Sequence, residues 1–462
     1  MQERWHRTTD ANGSNGGRMQ IQRRVALTIV WQSLILLLVA CAPSAVTPRP
    51  GMADRVDSSP SSAIPNMATP GDAPAAATPS AAIATARVTV PVQLASPPVS
   101  TCLIGASPRI GATAPMPPDL TLGVVMTILA DGRVLALGAD SGAAGRAAIY
   151  NPGADRWTPT GPMGEARFAP DAVPLPDGRV LVVGGMTLAS GASTVVETFD
   201  PSTLSFAPVA PLTDVLPSDR VRAVSLPGGI VLALTSRWAR RYDATANTWT
   251  ATGPKQTDAA RDAERLRDGR ILVLNADAPN VAGGPVAPGT HGSPGTGVAP
   301  AASVRPLAEI YDPGTDRWTV ATPMSTPRVA AYSTTVLEDG RVLVIGGELG
   351  GTGELYDPVH DHWVPIAAMP GQRGFHAVAA LPGGDALVVG GQVNGGTARS
   401  RVPDDLPRSM YRYDVARDTW YPWGELAVAR WSPQIVALRA DRLLVAGGSL
   451  ETPSAELLSI CK

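Results

Sequence analysis

Apolar residues in this chain arrive in short bursts that return seven times, six of them opened by a tight Gly turn and the last by Ala440-Asp441-Arg442. The bursts read Asp131-Gly-Arg-Val-Leu-Ala-Leu-Gly138, Asp177-Gly-Arg-Val-Leu-Val-Val-Gly-Gly185, Pro227-Gly-Gly-Ile-Val-Leu-Ala-Leu234 and Asp268-Gly-Arg-Ile-Leu-Val-Leu274. They continue as Asp339-Gly-Arg-Val-Leu-Val-Ile-Gly-Gly347, Pro382-Gly-Gly-Asp-Ala-Leu-Val-Val-Gly-Gly391 and Asp441-Arg-Leu-Leu-Val-Ala-Gly-Gly448. Runs this short, rich in β-branched residues and bounded by turn formers, read as strands. Self-similarity at such a period means stacked units, none of which can bury its apolar faces alone.

After most bursts comes an aromatic-Asp-Pro turn, with a second aromatic seven residues on: Tyr150 and Trp157, Phe199 and Phe206, Tyr242 and Trp249, Tyr311 and Trp318, Tyr356 and Trp363, Tyr413 and Trp420. The residues between are turn formers, so two strands join there in a hairpin. Each unit therefore has four strands: an inner strand A, the Gly-turn strand B, the Tyr strand C and the Trp strand D. The seventh unit stops at Lys462, before any strand D. Ile110-Gly-Ala-Thr-Ala-Pro-Met116 imitates Trp157-Thr-Pro-Thr-Gly-Pro-Met163 and Trp318-Thr-Val-Ala-Thr-Pro-Met324, so an N-terminal strand is predicted to complete the last unit. That would protect an otherwise open seam.

Gly-Gly, then Tyr, then Trp, at a period near fifty residues, resembles the kelch repeat. The resemblance runs from about residue 102 to the C-terminus. It implies an all-β fold: a seven-bladed β-propeller of four-stranded kelch-type blades over 102–462, closed by an N-terminal strand in the last blade. Blades 3 and 4 depart from the pattern, with Leu-Thr at 234–235 and Leu-Asn at 274–275 in place of Gly-Gly. Inserts rich in Gly interrupt the blades at about 279–304 and 394–409 and read as loops between strands B and C.

Ahead of the repeats, Arg18, Arg23 and Arg24 precede an apolar run that ends in Leu38-Val-Ala-Cys41. A basic flank and an apolar run of that length read as a secretory signal over 1–41, with Met19 the more ordinary start. Its end resembles the bacterial lipoprotein signal, which implies a lipidated Cys41 and an exported protein held at the extracytoplasmic side of the cell membrane. Residues 42–101 are Pro, Ala, Ser and Thr with almost no aromatics, a composition that stays disordered and serves as a linker. Cys102 and Cys461 remain, at the two ends of the propeller. In an oxidising compartment they are expected to form a disulfide across the seam, worth roughly 5–6 kcal/mol in the chain-entropy account of so long a loop.

Net charge is −2 and charged residues make up 17% of the chain, so no basic surface argues for nucleic acid. Strand order puts the D–A and B–C loops on one face. The D–A segments carry Arg167, Arg220, Arg261, Arg328, Arg373 and Arg430. Arginines entering the inner strands from six blades suit recognition of carboxylate, sulfate or phosphate at the channel mouth. Alternatively, each pairs with carbonyls or with acids of a neighbouring blade, such as Asp171, Asp219, Asp262 or Glu264. His376, beside Arg373, is the histidine expected near the channel; the expected outcome is a mixture, with Arg373 and His376 nearest its opening and the other arginines structural. His360 and His362 flank Asp361 in the fifth C–D turn, where no third metal ligand is apparent and a solvated turn is expected. His291 lies in an insert.

The resemblance also extends to copper radical oxidases related to galactose oxidase. Their Cys–Tyr crosslink, paired histidines and axial tyrosine have no counterpart among these residues, and no cofactor is expected. A module that binds a protein or glycan at the cell surface is the reading that results. The alternative is a sugar epimerase or mutarotase using Asp171, Asp262 or Glu264 with Arg261.

Overall fold

The apolar bursts are the second strands of seven four-stranded antiparallel sheets, each ordered A-B-C-D from the channel outward. The computed structural model describes residues 107–460 apart from 121, 140–144, 188–189, 259, 276–306, 329–331, 348–350, 372, 394–406, 440 and 449–452. The signal segment, the linker, Cys41, Cys102, Cys461 and the bulk of both inserts lie outside the described residues.

Blade 1 runs Leu122–Ile128, Val134–Ala139, Gly145–Asn151, Arg156–Pro159. Blade 5 runs Tyr332–Val336, Val342–Gly346, Gly353–Asp357, His362–Ile366. The inner strands of blades 2, 3, 4 and 6 are Asp171–Pro174, Arg222–Ser225, Asp262–Arg265 and Ala377–Ala380. Each inner strand neighbours the next in chain order, and that of blade 7, Gln434–Arg439, neighbours that of blade 1. The ring closes. In blade 7 the outer strand is N-terminal, as the sequence pattern requires: Arg109–Ala112 pairs antiparallel with Ala455–Ser459, with Ile110 opposite Leu458. Met116, Met163 and Met324, the shared end of the imitated pattern, are all buried.

The core is divided among the seams between blades. Leu135 and Leu137 pack on Val180 and Val182 of blade 2. Val134 and Ala136, on the other face of the same strand, pack on Leu444 and Ala446 of blade 7. A strand covered on both faces needs apolar residues at every position, which is why the bursts do not alternate. Among the described residues, no helix is long and apolar enough to cross a membrane.

The aromatic pairs stack across each C–D hairpin with ring centroids 4.8–5.0 Å apart. Each tyrosine hydroxyl donates to the residue five positions on, as Tyr356 does to Asp361 at 2.7 Å and Tyr311 to Asp316 at 2.7 Å. Those acceptors have positive φ, 50° at Asp361 and 56° at Asp316, a conformation that Asp and Asn tolerate better than other side chains. The same carboxylates receive backbone N–H groups from the blade before: Thr322 donates to Asp361 and Ala367 to Asp418. One short motif thus builds a turn and also ties it to its neighbour.

Candidate ligand-binding channel

Four of the six D–A arginines are not at the channel surface. Arg167, Arg328 and Arg430 are fully buried, and Arg373 is 2% exposed. Arg430 donates from Nη1 to the carbonyls of Gly447 and Ser454, both at 2.9 Å, and from Nη2 to Glu456 at 3.0 Å. Arg328 repeats the pattern with Gly346, Thr352 and Glu354, and Arg167 with Gly184, Val195 and Glu197. Arg373 reaches Gly390 and Ser409 in the same way, but blade 6 has Tyr411 where the others have glutamate, and the guanidinium lies 5.1 Å from that ring.

One of the two accepting carbonyls is always that of the first glycine of the Gly-Gly pair. Its φ is +79° at Gly346 and +74° at Gly447, a left-handed conformation that glycine adopts without strain. The glutamates also accept N–H groups of the D–A crossing itself: Gly164 donates to Glu197, Ser325 to Glu354 and Ala427 to Glu456. Arginine, glycine carbonyl and glutamate therefore fasten the crossings into blades 2, 5 and 7 onto the B–C end of the blade entered, and arginine with the glycine carbonyl does so in blade 6. This corrects the ligand-facing ring at Arg167, Arg328, Arg373 and Arg430; of the mixed expectation, the structural part holds for Arg167, Arg328 and Arg430, while Arg373 is buried with them rather than nearest the opening. The alternative of carbonyl partners holds for all four, but the acids that join them are Glu197, Glu354 and Glu456 of the blade being entered rather than Asp171, Asp219, Asp262 or Glu264.

His376 is corrected as well. It is 4% exposed, and neither ring nitrogen has a hydrogen-bond partner among the described residues. A Cβ added to Gly346 would meet its Cε1 at 2.7 Å, and one on Gly391 would meet its Cβ at 3.0 Å. The imidazole fills space that two glycine pairs leave between blades 5 and 6. Val221 takes the equivalent place against Gly184 in blade 3, and Pro433 against Gly390 in blade 7. Burial, then the Arg373 charge, lowers the His376 pKa to about 3, so the ring is neutral at physiological pH.

The channel wall of blades 2 to 4 is charged. Arg222 lies 3.3 Å from Asp171 and 3.5 Å from Asp262, and so spans three blades. Asp171 also accepts the Ala223 N–H at 2.6 Å, and Glu264 accepts the Thr334 hydroxyl. Burial pushes the carboxyls of Asp171 and Glu264 up, against the opposing pull of Arg222 on the first and of Thr334 on the second. The Asp171 carboxylate holds Arg222 firmly protonated. The facing wall is uncharged where Ala377–Ala380 supplies it.

Arg220 and Arg261, at the mouth of this wall, are the two arginines left over. Neither guanidinium has a hydrogen bond or ion pair among the described residues; that of Arg261 sits 5.6 Å from the Tyr332 ring. Tyr332 is 7% exposed, and its hydroxyl has no partner there either. Arg220 is open to water yet enclosed by the channel. That enclosure, then Arg222 and Arg261, draws it below the usual arginine range. Asp262 and Asp171 pull the other way on Arg220 and pair with Arg222, so the cations are partly offset; the guanidinium donors of Arg220 and Arg261, left without hydrogen-bond partners among the described residues, are what an anion could take.

Sequence reasoning passed over Arg222, Tyr332 and Thr334. Arg220 and Arg222 are two apart, a spacing that puts both on one face of a strand, and this was the available signal. The staples carry their own signal. An arginine stands eight residues before the closing Leu in blades 2, 6 and 7 and nine before it in blade 5, always with Gly-Gly following. Blades 3 and 4 lack both and fasten their crossings otherwise: Arg240 pairs with Asp214 at 2.6 Å, and Lys255 with Glu309 at 3.5 Å.

No protein-family model matches the chain. It is 30% identical to the F-box protein AFR of Arabidopsis thaliana over 146 residues, which cover 30% of this chain and 36% of that protein. It is 22% identical to Kelch-like protein 25 of Xenopus tropicalis over 250 residues, covering 50% and 38% respectively. The chain thus spans less than two fifths of the length of these curated relatives. Among solved structures it is similar to a fungal alcohol oxidase of the AA5 family in complex with copper, with TM-score 0.56 and 14% identity over 76% of each chain. It is also similar to virginiamycin B lyase from Staphylococcus aureus, with TM-score 0.52, 9% identity, and 76% and 98% coverage. With Gly-Gly, Tyr and Trp recurring at the same places in closed four-stranded blades, and with these similarities, the chain is a kelch-repeat β-propeller.

Proposed function

We propose that this kelch propeller is a binding module that takes an acidic group of a protein or glycan partner at its channel mouth, on Arg220 and Arg261. A kelch propeller suits protein interaction in general; the acidic preference is carried by one observation. Of six D–A arginines, four are consumed by the fold, and two stand unpaired beside Arg222 with the Tyr332 ring and hydroxyl next to them. A carboxylate or sulfate placed there would gain charge-assisted hydrogen bonds and relieve the repulsion among the cations. The signal at 1–41 and the linker at 42–101 support display of this face outside the cell membrane from a lipidated Cys41, for either kind of partner.

The test is binding of sialylated or uronate glycans and of Asp/Glu-rich peptides, measured for wild type and for Arg220→Gln and Arg261→Gln. Loss of a hydrogen bond to a charged group costs about 1.5–3 kcal/mol, so each substitution should weaken an acidic ligand by about 10- to 100-fold. Neutral ligands bound equally well by wild type and variants would contradict the proposal.

A second reading rests on the raised carboxyls of Asp171 and Glu264 beside Arg222, an arrangement able to hold and return a proton at an acidic sugar. Turnover of such a sugar, abolished by Glu264→Gln, would establish it in place of simple binding. The copper of the fungal oxidase finds no fit here: the described channel wall offers carboxylates and Tyr332 but no imidazole, His376 being packed between blades.

A further inference from the structure

On the opposite face, the C–D turn of blade 5 brings together a donor set that no other described turn has. The side chains of Asp357, His360 and His362 present one ligand atom each, all within 4.8 Å of one another. His360 Nδ1 lies 2.8 Å from Asp357 Oδ2, and the two imidazole centroids are 6.0 Å apart at 65°. The sequence places the two histidines on either side of Asp361 but shows no third ligand. The third is Asp357, whose turn folds it back beside His360.

The turn itself explains only part of this set. Asp357 Oδ1 accepts the N–H groups of Val359 and His360, an Asx turn that blades 1 and 4 form with Asn151 and Asp312. Tyr356 and Asp361 serve the same roles as their counterparts in those blades. The fold therefore requires Asp357 and Asp361, but it asks nothing of positions 360 and 362. Blade 1 has Ala154 and Arg156 there, and blade 4 has Thr315 and Arg317. Two imidazoles at those places, next to a carboxylate oxygen left over from the Asx turn, are an addition to the scaffold. The hairpin is also held rigidly. The Tyr356–Trp363 stack closes it, and Arg270 of blade 4 donates to the Pro358 carbonyl at 3.0 Å.

We infer that Asp357, His360 and His362 form a surface site for a divalent first-row transition ion such as Zn2+, with water completing the coordination. Ligands at about 2.0–2.2 Å from such an ion lie about 3–3.5 Å from one another. The Asp357–His360 pair already stands near that separation, and His362, which is exposed, closes the remainder by a rotamer change. Two imidazoles and one carboxylate suit zinc, nickel or copper over calcium or magnesium, which require oxygen ligands. The site lies away from the channel mouth, so its occupancy is independent of ligand binding there.

Titration of the full chain with ZnCl2, by calorimetry and by NMR of the histidine ring protons, tests this. The expected result is one ion per chain, with the His360 and His362 resonances shifting together. Affinity should fall by about tenfold or more in His360→Gln and in His362→Gln. Asp357→Asn keeps the Oδ1 acceptor of the turn and should also weaken the ion while leaving melting unchanged. Zinc bound equally by wild type and the His360→Gln/His362→Gln double variant would overturn the inference, because the ion would then be held elsewhere. Failure of wild type to shift either histidine would overturn it too.

Discussion

Replacing Arg430 by Ala lowers the unfolding free energy by about 3–5 kcal/mol, the cost of leaving a buried charge without its partner. Glu456 is 2% exposed, and its carboxylate depends on Arg430 Nε and Nη2 for charge compensation. Without the guanidinium, the carbonyls of Gly447 and Ser454 lose their donor as well. Denaturant unfolding of Arg430→Ala checks the magnitude. Arg430→Met with Glu456→Leu should recover part of the loss but not all, since Ala427 and Val428 would then have no acceptor. Arg373→Ala is milder, about 1–3 kcal/mol, because blade 6 has no carboxylate to strand.

The second large effect is with acid. His376 is neutral in the fold down to about pH 3, whereas an unfolded histidine titrates near 6.5. A folded pKa below the unfolded value means that the unfolded chain takes up the proton first. The stabilisation is therefore complete above about pH 6.5 and is lost as pH falls toward 3. At 1.36 kcal/mol per unit, wild type should lose roughly 4–5 kcal/mol over that window from this residue. His376→Leu keeps an apolar group against Gly346 and Gly391 and has no proton to gain. Subtracting its stability-against-pH curve from that of wild type isolates the effect. Parallel curves would mean that the imidazole finds a partner and charges in place.

The repeat was legible because a strand buried on both faces has no freedom in its residue types and the turns between strands have little. Gly-Arg-Val-Leu-Val-Val and Tyr-Asp-Pro state covering and curvature directly. The closing strand was legible for the same reason: Ile110 to Met116 copies the spacing of two complete outer strands, and Ile110 indeed faces Leu458. The site was less legible. A propeller channel collects residues far apart in sequence, and an arginine looks alike whether it meets a glycine carbonyl or solvent. Arg430 and Arg220 both precede an inner strand; what separates them is the Gly-Gly and Glu456 that blade 7 provides and blade 3 does not. His376 was misplaced because its neighbour is a cavity left by two glycines, which no residue type announces. Asp357 was missed as a metal ligand because its turn role already accounted for it.

The division of the arginines into four that hold crossings and two that face the channel is the claim on which the functional proposal stands. Thermal unfolding of the six single Arg→Ala variants tests it most directly. Arg167→Ala, Arg328→Ala, Arg373→Ala and Arg430→Ala should each melt well below wild type, while Arg220→Ala and Arg261→Ala melt close to it, Arg220→Ala also relieving the repulsion from Arg222. A fall at Arg220 and Arg261 as large as at the other four would contradict the account, since those guanidinium groups would then be structural and the mouth would hold no cation free for a ligand.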